Sequence, residues 1–443
     1  MQNLYTYFIR TIRWNAFDSL LTQGLLVAHH CAVRYYLGAE FHGEFGTALA
    51  LMYSALVVIN WGLDSSLSIV FSYIAKSQAH ARTIFRQSIF PQIFIILLFG
   101  ISLVLAGKHT LYVIIAAILI TESIKKSCKV LLQLALHTQI TALTEITGMV
   151  TYLMVVWSWY YTGNGMTLVS AFTALLCVSF LQLITLAVAV CSWYRLLPSV
   201  DIPEVTWTWR IAKSRLFVGS NQVIAQFFSA NFLVPFFALS CGFAYASFFK
   251  IVSSAALWVT LIGQKIFGVS GAAILARTKE LSLETKRAIF IAMTHRLYQV
   301  LYILIIFVVI NGTTLFVTQC SSYAPRALVI GLTMLILSFL ESFFVLYDRW
   351  YIIEERAYFL LFFNILSCLL LYSIMHNFLC FSDIGIVISM IIVRAMAIIS
   401  LTLFSFYYWR LRPSLRLEKE SVGIALLLSL LGYILLACTG FNS

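Results

Sequence analysis

The segment Glu122-Ser-Ile-Lys125-Lys126-Ser-Cys-Lys129 puts three lysines and a glutamate inside an otherwise apolar run. In a helix Lys125 and Lys129 share one face, and Glu122 comes within reach of Lys126. Two ammonium groups on one face could hold a diphosphate as point charges, without a bidentate clamp. They could equally snorkel toward lipid headgroups. Lys125 lies about three turns from the end of its apolar run near His137, which is deep for snorkelling.

Other charges sit at similar depth. Asp64 and Lys265 are both two residues after a glycine in apolar sequence, and an opposite-charge pair there could gate two halves of a molecule. The alternative is two separate local pairs. Arg394 has no acid near it in sequence, and Glu341 is one partner it could find. Arg34 could contact headgroups, pack on aromatic rings or face a cavity. Gln222, Gln226 and Ser229 recur at helical spacing, suited to sugar hydroxyls or to hydrogen bonds between helices. Cations outnumber acids at these depths, which suits an anionic ligand better than a cationic one. His29 and His30 are adjacent and point to different faces, so they make poor joint metal ligands.

What positions these residues is lipid. Hydrophobic residues make up 61% of the 443 and charged ones 10%, with a mean hydropathy of +0.94. A helix needs roughly 20 apolar residues to span the hydrocarbon core. Candidate spans run near 13–37, 44–76, 86–107, 109–137, 140–162, 165–194, 211–240, 242–276, 286–311, 325–349, 356–376, 383–409 and 421–440. The predicted fold is all-α and polytopic, with about 13 transmembrane helices.

Most of the 29 basic residues fall in alternate gaps: Arg10 and Arg13; Lys76, Arg82 and Arg86; Arg195, Arg210, Lys213 and Arg215. The series continues with Arg277, Lys279, Lys286 and Arg287; Arg349 and Arg356; and Arg410, Arg412, Arg416 and Lys419. The opposite gaps hold Lys108 and Arg326. This predicts a cytoplasmic amino terminus, and the net charge of +12 becomes a topology signal that calls for no nucleic acid. Met1 to Trp14 lacks the pattern of a cleavable signal peptide. Nine scattered cysteines predict neither a disulfide framework nor a zinc site.

The stretch 196–215, with Pro198, Pro203, Asp201 and Glu204, divides the chain into a six-helix lobe at 1–195 and a second at 216–412, leaving an extra helix in 413–443. A shift of 201 residues superposes Ala55, Leu56, Val58, Gly62 and Ala75 on Ala256, Leu257, Val259, Gly263 and Ala276. The lobes are therefore predicted to be a parallel repeat, with a cavity between them that opens to alternate sides.

The stretch Tyr36-Leu-Gly-Ala-Glu-Phe-His-Gly-Glu-Phe-Gly46, with Trp61-Gly-Leu-Asp64 and Tyr73-Ile-Ala, resembles the start of the polysaccharide-transporter branch of the multidrug/oligosaccharidyl-lipid/polysaccharide (MOP) exporter superfamily. Phe45 stands where that branch commonly has tyrosine, and the thirteenth span departs from its twelve-helix core. The resemblance implies an O-antigen-type flippase in a bacterial inner membrane. Such a protein moves an isoprenoid diphosphate-linked glycan to the outer leaflet, with a glycan polymerase or chain-length regulator and membrane lipids as partners. On that reading Lys125, Lys129, Arg34, Lys265, Arg394, Gln222 and Gln226 are substrate-binding candidates. Asp64, Glu341, Glu122 and Lys126 are candidates for gating or ion coupling.

GxxxxGK[ST], HExxH and GxSxG signatures are absent from the sequence, and so are long loops. The expectation is a non-enzyme using no nucleotide, metal or cofactor. A cation-coupled multidrug exporter of the same superfamily is the nearest alternative, and Asp18 and Asp64 are the acids it would use.

Overall fold

The computed structural model describes residues 2–106, 110–199, 208–278, 281–319, 324–377 and 383–411. Among the described residues every regular element is helical. The order is α1 (Gln2–Leu37), α2 (Ala39–Asn60), α3 (Leu63–Ile74), α4 (Gln78–Ala106), α5 (Thr110–Leu134), α6 (Thr138–Trp159) and α7 (Leu168–Arg195). It continues with α8 (Thr208–Ala225), α9 (Ala230–Cys241), α10 (Phe243–Gly263), α11 (Ser270–Arg277), α12 (Leu283–Gln319), α13 (Ala324–Ile353), α14 (Ala357–Asn377) and α15 (Asp383–Trp409).

The first twelve expected spans each fall on one of these helices or on a consecutive pair. Seven helical stretches are long and apolar enough to cross a membrane, and a pair bent by 43°, 212–228 with 231–241, makes an eighth. The thirteenth expected span, 421–440, lies outside the described residues. Helices form because lipid supplies no hydrogen bonds, so each segment must satisfy its own backbone. Large apolar side chains such as Leu181, Val188, Leu239 and Tyr372 stay exposed on the outer surface, as a lipid solvent permits.

Contacts between turns bring the basic ends of the helices to one face. The Gln78 amide donates to Pro198 O at 2.9 Å, Arg277 donates to Leu134 O at 3.2 Å, and Lys286 pairs with Glu354 at 2.9 Å. Residues 208–215, read from sequence as linker, already form the first turns of α8.

Each half has its own core. Phe45, Tyr152 and Phe172 centre the amino-terminal one, and Phe249, Phe290, Tyr347 and Trp350 the carboxyl-terminal one. Two smaller clusters bridge the halves: Leu63, Leu67 and Leu131 with Ala273, and Ile69 with Val218, Tyr351 and Leu401.

The second span of each half is interrupted at matching places. Trp61 (φ 38°) and Gly62 (φ 71°) are left-handed and separate α2 from α3. Gly263, the residue 201 positions on, is followed by a π-helical turn, Gln264–Val269, before α11. No proline lies at either interruption. Helix α4 runs through Pro91 and α9 through Pro235, while the seventh span bends earlier, at the 3-10 turn Gln226–Phe228. Transmembrane helices tolerate proline because neighbouring groups take up the freed carbonyl.

The halves approach closely where glycine removes the side chain. A Cβ on Gly43 of α2 would run into the Phe243 carbonyl of α10, and one on Gly46 would lie 3.3 Å from the Lys250 stem. A Cβ on Gly219 of α8 would stand 2.6 Å from the Trp61 ring. Gly24 of α1 has open space instead. Gly43→Ala and Gly219→Ala should each cost about 1–3 kcal/mol by overpacking and lower the melting temperature in detergent, with Gly24→Ala neutral. Unchanged melting of Gly43→Ala would contradict so close a crossing.

Candidate functional site at the seam between the halves

A broken helix inside a membrane leaves carbonyls without intrahelical donors, and a cation is their natural cap. Arg215 of α8 supplies it. Its guanidinium donates to Asn60 O and Trp61 O, both at 3.4 Å, and to the Gln92 side-chain oxygen on α4. Gln92 in turn donates to Ile59 O, and Ser123 of α5 donates to the Asn60 side chain. One turn past the break, Ser65 receives Gln222 Nε2 of α8 at 3.0 Å and Arg349 Nη1 of α13 at 3.3 Å. Three side chains of the carboxyl-terminal half thus close on one broken helix of the other. The sequence pattern counts Arg215 and Arg349 among the basic gap residues at the edges of their spans; both lie within helices and turn onto the break.

Near the opposite face, the seam is a chain of polar groups. Arg34 Nη1 donates to Ser247 Oγ of α10 at 2.7 Å. That hydroxyl also meets His42 Nδ1 of α2 at 2.9 Å, and His42 Nε2 meets His30 Nδ1 of α1 at 2.9 Å. His30, His42 and Ser247 are fully buried. Lys250, one turn beyond Ser247, is buried against Gly46. Among the described residues neither Arg34 nor Lys250 forms an ion pair, whereas Lys125, Lys129 and Arg394 inside the halves do.

Lys125 donates to Glu122 at 2.6 Å and to Gln182 Oε1 at 2.8 Å. Ser179 donates to Glu122 at 2.5 Å, and Gln182 donates to Thr144 O at 2.9 Å. This network ties α5, α6 and α7 together and backs onto a groove of about 340 Å³ between α6 and α7. Lys129 pairs with Glu145 of α6 at 2.8 Å. Lys125 and Lys129 therefore each hold a separate carboxylate instead of forming a shared anion site. Glu122 binds Lys125, three residues on, where the sequence reading gave it to Lys126; that residue is half-buried on the same helix.

Arg394 of α15 pairs with Glu341 of α13 and donates to Asn364 Oδ1 of α14 at 2.5 Å. Asn364 donates to Asn221 Oδ1 of α8 at 2.6 Å, and the Arg394 guanidinium lies 4.7 Å from the Phe228 ring centre. Each half is thus fastened inside by a glutamate on its fourth span.

The expected stripe Gln222, Gln226 and Ser229 is divided. The helix ends at Ala225, and the Ser229 hydroxyl bonds back to Gln226 O at 2.8 Å, so only Gln222 reaches across to the other half. Asp64 begins the helix beyond the first break and Lys265 sits in the π turn; their side chains lie outside those described. No group of three or more metal-ligating side chains exists among the described residues.

No protein-family model and no curated protein matches the chain. Solved structures do. A eukaryotic MATE transporter, AtDTX14, superposes with a TM-score of 0.65 at 13% identity, covering 96% of this chain and 99% of its own. The Vibrio cholerae MATE transporter VcmN gives 0.67 at 13%, covering 92% and 98%. A MOP superfamily transporter from Pyrococcus furiosus, described as having a binding pocket of reverse polarity that suggests a different function, gives 0.65 at 12%, covering 91% and 95%.

The chain has the MATE-type transporter fold. That fold is a multi-span, integral membrane architecture, and the seam described above runs between its two halves.

Removing one partner of a buried ion pair leaves a bare charge and typically costs 3–5 kcal/mol. Arg394→Met should therefore lower the melting temperature strongly, and adding Glu341→Gln should recover much of the loss. Additive losses would show that the two side chains do not depend on each other.

Proposed function

We propose that this chain is a carrier for an anionic, lipid-linked substrate: an isoprenoid diphosphate-linked oligosaccharide, such as an O-antigen or other polysaccharide repeat unit. It crosses from the cytoplasmic to the outer leaflet of a bacterial inner membrane by alternating access, with the amino terminus cytoplasmic. One observation carries the reading. At the low-charge end of the seam, half-buried Arg34 donates to the Ser247 hydroxyl and Lys250 is buried nearby, and among the described residues neither pairs with a carboxylate. The deep glutamates Glu122, Glu145 and Glu341 are already joined to Lys125, Lys129 and Arg394 inside the halves. A seam of this polarity attracts a diphosphate and repels a cationic drug.

In this account Arg34 and Lys250 hold the phosphates, Gln222 offers hydrogen bonds to the glycan, and the isoprenoid tail stays in lipid. Lys125, Lys129 and Arg394 act indirectly, by keeping each half rigid while the two move. Asp64 and Lys265, placed at the two helix interruptions, keep their proposed gating role. Export of the glycan unit places the chain before a glycan polymerase or chain-length regulator. A cation-coupled multidrug exporter is the second reading; Asp18, buried on α1 and bonded by Thr22, is the acid that favours it.

Depletion of the protein in its host should make a diphosphate-linked glycolipid accumulate in extracts read by mass spectrometry, shielded from an external glycan probe. Arg34→Gln with Lys250→Gln should fail to reverse the accumulation, while a wild-type copy should reverse it. An unchanged lipid pool together with new sensitivity to toxic cations would move the assignment to drug export.

A further inference from the structure

The polar chain at the low-charge end contains two buried histidines that the anion-carrier reading does not use. Arg34 Nη1 donates to Ser247 Oγ, which leaves the hydroxyl proton for His42 Nδ1. His42 then carries its own proton on Nε2 and donates it to His30 Nδ1. Every one of these contacts is satisfied when both imidazoles are neutral, and the chain runs from α10 of one half to α1 and α2 of the other.

Among the described residues a proton added here meets no counter-charge. On α1 the neighbouring groups are Arg34 and His29, whose ring centre is 6.1 Å from that of His30 and whose nitrogens have no hydrogen-bond partner. From α10 comes Lys250, and from α6 the uncharged rings of Tyr152 and Trp157 surround His29. The carboxylates at this end of α2, Glu40 and Glu44, are exposed. With His42 protonated, Ser247 Oγ must accept from both His42 and Arg34 and turn its own proton away. With both histidines protonated, two N–H groups point at one another across the 2.9 Å contact.

We propose that His30 and His42 form a proton-binding site that latches the two halves at this end. Neutral imidazoles close the seam, and protonation opens it. The sign follows from the contacts: closure is favoured above the imidazole titration range and weakened as pH falls through it. The inference rests on the alternating-access reading and supplies it with a coupling ion. A proton taken up at the low-charge face opens the carrier there, and its loss reseals the seam.

The test is pulsed electron–electron distance measurement on the full chain in lipid nanodiscs, without substrate. Spin labels go at Tyr35→Cys and Leu239→Cys, both highly exposed at this end, one on each half, in a chain with its native cysteines replaced. Lowering the pH from about 8 to 5.5 should raise the ratio of long to short distances about tenfold, the change given by one unit of preferential proton binding. His42→Gln and His30→Gln keep a donor and an acceptor but cannot titrate, so each should flatten the response. Thermal melting at both pH values confirms that the variants are folded, and either variant alone suffices. A wild-type distribution that ignores pH overturns the proposal, as does an unchanged pH response in the folded variants. Because the measurement needs no cargo, its failure leaves the substrate assignment standing, and a different cargo leaves the latch standing.

Discussion

The whole arrangement depends on a helix that stops inside lipid. Interrupting the second span at Trp61 and Gly62 strands carbonyl groups where water cannot reach them, and such groups must be satisfied by the protein itself. The donors come from across the seam: Arg215 on the carbonyls, with Gln222 and Arg349 on Ser65 one turn away. Glycine makes the approach possible, since Gly62 and Gly219 allow backbone to meet backbone there. Hydrogen bonding to a defect thus joins the halves beside the two small apolar clusters that bridge them, and such bonds can be broken and remade more readily than a continuous apolar core.

Charge is divided to the same end. Inside each half a carboxylate and a cation neutralise one another: Glu122 with Lys125, Glu145 with Lys129, Glu341 with Arg394. These pairs fasten the fourth, fifth and sixth helices of a half into a unit that can move as a body. Between the halves, Arg34 and Lys250 have no carboxylate partner among the described residues, so the moving surface carries the electrostatic preference.

Much of this was legible in the sequence. Apolar runs of spanning length located the helices, because lipid leaves the backbone few alternatives. The 201-residue shift marked Gly62 and Gly263, and both prove to sit at helix interruptions. Contacts across distant segments were not legible. Lys125 and Lys129 look like one anion site when only their own helix is considered, yet Glu145 and Gln182 arrive from α6 and α7 and take them up separately. Arg215 looked like one more basic residue at a span end because its partners Asn60, Trp61 and Gln92 come from the other half. Gln226 lost its place in a stripe once the chain turned at Phe228. His42 lay in plain view in the first hairpin, but its partners His30 and Ser247 are 12 and 205 residues away.

The most direct measurement is translocation by the purified chain in sealed liposomes, using a short-chain isoprenoid diphosphate sugar whose exposure is read with an impermeant glycan-oxidising reagent. The account predicts movement between leaflets that depends on the protein and collapses when Arg34 and Lys250 are both replaced by glutamine. Liposomes that fail to move this lipid, yet accumulate or expel a lipophilic cation through the same protein, would contradict it.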